Sequence, residues 1–223
     1  MAAEQANVPS AGRLKRLPRV LTIGILALFL GLLAYGVAKK SPDDTIDNQL
    51  SKGQSAKAPG FSLELLTAGR SSGRLREALA GASANGKVDF DRLRDTPVVL
   101  NYWASWCDPC ASEASTLEAG WRRWGKRNVL FLGLDMQDLR EDARQFLSDH
   151  RVSYPAVRDP GKKTAKRYGA TGIPETYFIS ASGRVVAHVV GAVSRGQLED
   201  GVAAALSGNP VGKTRGGARR PPR

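Results

Sequence analysis

Cys107 and Cys110 are the residues of this chain best suited to chemistry. They are its only two cysteines, three positions apart in Trp103-Ala104-Ser105-Trp106-Cys107-Asp108-Pro109-Cys110. A thiol pair at this spacing can cycle between dithiol and disulfide, and the thiolate is its reactive form. The surrounding pattern says how the pair is positioned. The apolar run Pro97-Val98-Val99-Leu100-Asn101-Tyr102-Trp103 predicts a buried strand leading into it. Cys110, Ala114, Leu117, Trp121 and Trp124 then recur at helical spacing on one face. Pro109 suits a first helical turn, where its missing N–H would have had no partner. Cys107 therefore falls at the positive end of a helix dipole, beside amides without intrahelical acceptors, and both effects favour thiolate.

Blander uses of a Cys-x-x-Cys pair fit less well. Structural zinc takes four ligands, and the chain offers no second cysteine pair; His150 and His188 lie in other segments. A static disulfide would close too small a loop to restrict the unfolded chain much. Thiol–disulfide exchange is the reading that uses strand, cysteine pair and helix as one unit.

Trp103 to Cys110 resembles the active site of a thioredoxin-fold protein, and Gly172-Ile173-Pro174-Glu175-Thr176 resembles that family's second signature, a loop with a cis-proline facing the disulfide. The subfamily it looks most like is the membrane-anchored TlpA/ResA/CcmG (DsbE) group, which handles disulfides outside the cytoplasm during cytochrome c maturation. Glu113 matches the acidic residue that group carries three positions after the second cysteine, and Asn101 stands where cytoplasmic thioredoxins place a buried aspartate. The resemblance covers about 58–206. It implies Cys107 as the attacking thiol, Cys110 as the resolving one and Glu113 as a carboxylate that raises thiol pKa values and shuttles a proton. It also implies a substrate groove at Trp106, Ile173, Pro174 and Glu175. Metal and cofactor are expected to be absent. For Glu113 the residues alone leave open an ordinary first-turn glutamate. Glu175 either lines the groove or faces water, and His188, within a strand pattern, reads as structural.

The rest of the chain must place this unit. Formal net charge is +12, but 58–206 holds 20 Lys+Arg against 17 Asp+Glu, so most of the excess sits at the ends and says little about the substrate. Residues 1–19 read as a polar cytoplasmic tail with Arg13, Lys15, Arg16 and Arg19 at its end. Residues 20–38 carry no charge. As a helix they would extend roughly 28 Å, enough for a bilayer core. A signal-peptide core is shorter, which favours an uncleaved anchor over a cleaved leader. The basic flank puts the amino terminus inside and the domain on the extracytoplasmic face of a bacterial membrane. Residues 39–57 read as a flexible linker, 58–206 as the folded domain and 207–223 as a basic disordered tail.

Within the domain, alternation or continuous apolar runs predict strands at 61–66, 97–103, 128–134, 176–179 and 184–190. Helices are expected after Cys110, from Asp138, over 162–168 and from Ser194, whose Gln197 completes a capping box. The segment 67–87 reads as an insertion, a surface loop with a short helix over 74–80 and no assigned function. The order β-α-β-α-β-β-α gives an α/β fold, a central mixed sheet with helices on both faces, which is the thioredoxin architecture, behind an amino-terminal transmembrane helix.

Three functions fit. The first is an extracytoplasmic reductase of protein disulfides, with apocytochrome c as the substrate the resemblance implies and an unidentified membrane electron donor. The others are a disulfide-introducing oxidase and a thioredoxin-like binding module without turnover. Nucleic acid is not an expected partner.

Overall fold

The computed structural model describes residues 17–40 and 43–217. The expected tail over 1–19 lies outside them except for its last three residues, as does the end of the carboxyl-terminal segment. The chain divides into two units, 1–41 and 42–223.

The first unit holds one helix, α1 (Leu17–Lys40). Its large apolar side chains, among them Leu21, Ile25, Phe29 and Leu33, are exposed. The segment expected to anchor the chain is thus helical. Among the described residues, however, no helix is long and apolar enough to cross a membrane. The side chains described in α1 run only from 20 to 36.

The second unit is built on a mixed sheet. At its centre β5 (Val98–Trp103) runs parallel to β6 (Leu130–Asp135), and β6 parallel to β7 (Ala156–Arg158). On the other side β5 pairs antiparallel with β8 (Glu175–Ile179), and β8 with β9 (Arg184–Val190). Beyond β7 the sheet continues antiparallel through β2 (Ser62–Thr67), β4 (Lys87–Asp89) and β3 (Ser83–Ala84). Every residue of β5 and β6 is buried. Strands covered on both faces need continuous apolar sequence, which is why both runs were legible.

Helices cover the sheet. α4 (Asp108–Trp124) buries Cys110, Ala114, Leu117, Trp121 and Trp124, the face its spacing predicts. α5 (Arg140–Asp149) buries Ala143, Phe146 and Leu147, and α7 (Arg195–Ser207) starts at the expected Ser194–Gln197 capping box. α6 (Lys163–Tyr168) ends at Gly169, whose φ of +75° and close approach to the Asp43 carbonyl suit a residue without a side chain. Asp138 does not cap α5. The helix begins two residues later, and the Asp138 carboxylate is engaged by Ser105 instead.

Two expectations about the flanking segments are corrected. The 39–57 linker contains α2 (Thr45–Ser51), whose Ile46 and Leu50 enter the main core, and β1 (Ala56–Lys57). The 207–223 tail contains β10 (Gly212–Arg215), which runs parallel to β9. β1 pairs with Val185 and Arg184 of β9 while β10 pairs with residues 187–190, so the segments before and after the expected 58–206 domain share one edge of the sheet. Segments too polar to read as strands are ordered here because an edge strand needs only backbone hydrogen bonds, and α7 provides the crossover a parallel pair requires. Within 67–87 the short helix expected over 74–80 is present as α3 (Gly73–Ala82), which buries Leu75, Leu79 and Ala82, and β3 forms a hairpin with β4.

Candidate active site

The site lies where β5 ends and α4 begins. Cys107 is the N-cap of α4, Asp108 and Pro109 make its first turn, and Cys110 lies one turn in. The two cysteines form a disulfide. The Cys110 N–H donates to the Cys107 sulfur at 3.2 Å, so a first-turn amide points at the outer cysteine, as a helix N-terminus arranges. Both sulfurs are largely covered, Cys107 at 5% exposure and Cys110 at 2%. They share a small cluster with Trp103, Ala143, Phe146 and Leu147, in which the Trp103 ring stacks on Phe146 at 4.7 Å. Trp103 can lie over β6 because Gly133 has no side chain; a Cβ there would stand 2.9 Å from its Nε1.

The loop before Cys107 is held from outside. Ser105 donates to the Asp138 carboxylate through its N–H (2.5 Å) and its hydroxyl (2.8 Å). Trp106 is 59% exposed, yet its indole N–H donates to the Gln137 carbonyl at 3.1 Å, which pins an aromatic surface beside Cys107. Behind Asp138, Arg158 donates to the Asp138 carbonyl and pairs with Asp135 at 2.9 Å. Burial pushes the Asp135 carboxyl up to about 6 against that guanidinium.

Glu113 lies one turn beyond Cys110 and is 2% exposed. Its Oε1 accepts from the Asn101 amide at 2.8 Å and its Oε2 from the Val193 N–H at 2.6 Å. Burial pushes its pKa up to about 7, and these two neutral donors only partly oppose the shift. A carboxyl poised there can take and return a proton near neutral pH.

On the opposite side the Ile173–Pro174 peptide bond is cis. Ile173 packs against the cluster that holds the cysteines, and Pro174 directly precedes β8, where Glu175 pairs with Tyr102 of β5. Glu175 neither lines a groove nor faces water. It is fully buried, and its Oε1 accepts from Thr171 N–H, Thr171 Oγ1 and Gly172 N–H at 2.8–2.9 Å. Its Oε2 takes the Tyr177 hydroxyl at 3.0 Å and His188 Nε2 at 2.9 Å. The reason is that β8 is covered on both faces, so its side chains are buried whichever way they point. Of the residues expected from sequence, Cys107, Cys110 and Ile173 share one cluster, with Trp106, Glu113 and Pro174 next to them in chain or helix; the two sets of supports, Gln137–Asp138 and Asp47–His188, were not anticipated. The signal for the second was an ionisable His188 inside an otherwise apolar strand. Among the described residues no group of three or more His, Cys, Asp or Glu is arranged to hold a metal ion.

Comparison with known proteins agrees with this geometry. A family model described as AhpC/TSA matches residues 55–188. The chain is 31% identical over 180 residues to the thiol:disulfide interchange protein DsbE homolog of Paracoccus denitrificans, covering 79% of this chain and 86% of that one. It is 26% identical over 113 residues to the thiol-disulfide oxidoreductase ResA of Bacillus thuringiensis, covering 51% of this chain but only 65% of that protein. Among solved structures, a DsbF homologue from Corynebacterium diphtheriae superposes with a TM-score of 0.56 at 25% identity, over 69% of this chain and 88% of the other. A putative thiol:disulfide interchange protein DsbE from Chlorobium tepidum shares the fold with a TM-score of 0.55 at 24% identity, over 68% and 96%. With a disulfide at the head of a helix, a buried glutamate one turn behind it and a cis-proline loop packed alongside, the chain belongs to the AhpC/TSA family, among thioredoxin-like proteins of the ResA and DsbE type.

Proposed function

We propose that this protein is an extracytoplasmic thiol–disulfide oxidoreductase that reduces disulfides in protein substrates, with the Cys-x-x-Cys disulfide of apocytochrome c as its target. The observation that carries the reading is the Cys107–Cys110 pair at the head of α4 with Glu113 buried one turn behind. In the reduced protein the Cys107 thiolate attacks one sulfur of the substrate disulfide. That bond breaks, its leaving sulfur takes up a proton, and a mixed disulfide forms. Cys110 passes its proton to Glu113 and attacks the Cys107 sulfur; the second substrate thiol leaves, protonated in turn by Glu113. The substrate gains two electrons and two protons, and the Cys107–Cys110 disulfide remains for a membrane dithiol donor to reduce. Trp106 and the Ile173–Pro174 loop would flank the bound peptide.

Electrostatics supports this direction. Asp108 and Glu113 set carboxyl groups near thiols that the helix otherwise activates, which limits stabilisation of the reduced form; a strong oxidant needs the reverse. For the location, the uncharged 20–38 segment and the exposed apolar side chains of α1 support a membrane anchor with the domain outside. A tether also raises the effective concentration near assembly proteins in the same bilayer.

The test is a deletion strain. Covalently bound haem c should fall and an added external thiol should restore it. Normal haem c with loss of disulfides in secreted proteins would reverse the direction. Protease added to intact spheroplasts should remove the domain; full protection would refute the topology, and a mature chain starting at Lys39 would refute the anchor.

A further inference from the structure

We propose that His188 is a positioning residue for the substrate groove. From one buried ring it fixes Glu175, and through Glu175 the Thr171–Gly172 turn that leads into Ile173–Pro174. Its other nitrogen ties that turn to Asp47 on α2. The inference rests on the proposed function and adds the device that holds one wall of the groove in place.

The His188 ring has no freedom to do anything else. It is buried and stacks on Tyr177 with centroids 3.9 Å apart and planes 13° from parallel. Nε2 meets Glu175 Oε2 at 2.9 Å and Nδ1 meets Asp47 Oδ1 at 2.7 Å. A neutral imidazole has one donor and one acceptor, so it would turn a lone pair against one of these carboxylates. The imidazolium donates to both. Burial alone would lower the His188 pKa, but the two carboxylates outweigh it and hold the group above its ordinary value. For Glu175 burial is the largest single influence and acts upward, but the His188 hydrogen bond and charge together with the Thr171 donors outweigh it, so its carboxyl is held below its ordinary value. Lys213 stands opposite His188 in the β9–β10 register and pairs with Asp47 Oδ2 at 2.5 Å, and Asp200 and Gln197 of α7 line one cavity together with His188.

The result is a continuous path. It runs from Lys213 and Asp47, at the ends of the domain sequence, through His188 to Glu175, and from there to three donors in residues 171 and 172. Those donors immediately precede the two residues proposed to meet the substrate. Loosening the path should therefore weaken recognition of an extended peptide, and should leave the sulfur chemistry of Cys107 intact.

The test uses the full chain in detergent micelles and two disulfide probes. A peptide disulfide must lie in the groove; 5,5′-dithiobis(2-nitrobenzoic acid) need only reach Cys107. His188→Phe keeps the ring stack on Tyr177 and removes both N–H groups. It should raise KM for the peptide disulfide about tenfold, which corresponds to about 1.4 kcal/mol of lost binding, with kcat and the small-disulfide rate within about twofold of wild type. Asp47→Asn should move KM in the same direction by about threefold. Wild-type KM should also rise on the alkaline side of the ordinary imidazole range, and this limb should vanish in His188→Phe.

An unchanged KM in folded His188→Phe, or equal losses on both probes, would overturn the assignment. If His188→Phe does not fold, Asp47→Asn decides, and an unchanged KM there overturns it as well. A wild-type protein inert towards both disulfides would instead overturn the proposed function and this inference with it.

Discussion

Glu113 and Glu175 flank the disulfide site from its two sides, and both are buried within the same sheet-and-helix layers. Their chemistry is opposite because their partners differ. Glu113 has two donors, the Asn101 amide and the Val193 N–H, and both are neutral, so burial wins and the carboxyl titrates at about 7. Glu175 has His188 with three donors in the 171–172 turn and the Tyr177 hydroxyl; there burial loses and the group stays anionic. Burial sets the cost of a charge, and the count and charge of the donors decide whether it is met. One side of the site thus has a carboxyl that can move a proton and the other has one that can only hold a shape.

On the proposed mechanism the largest effect comes from the sulfurs between these two carboxylates. Replacing either cysteine should abolish turnover. Cys110→Ser should accumulate mixed disulfides with substrates, seen as shifted bands on non-reducing gels, and Cys107→Ser should not. Equal trapping by both would reverse the roles of the two thiols.

Next in size is the anionic side. Glu175→Ala leaves the 171–172 donors and Tyr177 unpaired and removes one of the two carboxylates facing His188. Breaking a buried ion pair from one side costs ~3–5 kcal/mol, readable as a lower urea midpoint with unchanged slope. A loss well under 1 kcal/mol would place Glu175 in the class of exposed pairs and erase the contrast with Glu113.

The proton-carrying side should show itself through pH. The folded pKa of Glu113, about 7, lies above its ordinary 4.5, so the folded state binds the proton more tightly than the unfolded one. Its contribution is complete below about pH 4.5 and is lost as pH rises through 7, a fall of ~3 kcal/mol. Glu175 and Asp47 are depressed, so they contribute above the ordinary carboxyl range and lose their contribution as pH falls through their folded pKa values. Measured on the oxidised protein, where no thiol titrates, Glu113→Gln should make the decline between pH 4.5 and 7 shallower, leaving the part that Asp135 contributes as pH rises through about 6, and should keep the acid limb in place. In the reduced protein it should slow resolution of the mixed disulfide roughly 100-fold at pH 7 and lower the pKa of at least one thiol. A stability profile that keeps its slope in Glu113→Gln would mean the proton sits elsewhere.

The smallest expected effect lies outside both glutamates. Asp138→Asn weakens charge-assisted bonds to the Ser105 N–H and hydroxyl and should cost about 1 kcal/mol. Hydrogen–deuterium exchange should show faster exchange confined to 104–107, with the 171–175 turn unaffected. Coupled exchange in both loops would mean the two walls of the site are not independent.

The sequence by itself determined the elements that need apolar faces and the residues whose chemistry is intrinsic. Continuous apolar runs too short for a buried helix and rich in Val, Leu and aromatic residues fit covered strands, so β5 and β6 were legible. The helical spacing from Cys110 to Trp124 set α4, and with it the place of both sulfurs and Glu113. Ser194 and Gln197 marked the start of α7 because a capping box is local. Tertiary structure alone decided what depends on partners distant in the chain. Nothing in 39–57 announces that Asp47 meets His188, or in 207–223 that Lys213 lies beside it. Those contacts arise because β10 is brought to the outer edge of β9 by backbone hydrogen bonds that any sequence can make, and α2 is docked through only two apolar side chains, Ile46 and Leu50. The same holds for the two glutamates. Their identity and their helix or strand were readable, but whether each is an acid or an anion depends on donors supplied by other segments, and those donors exist only once the chain is folded.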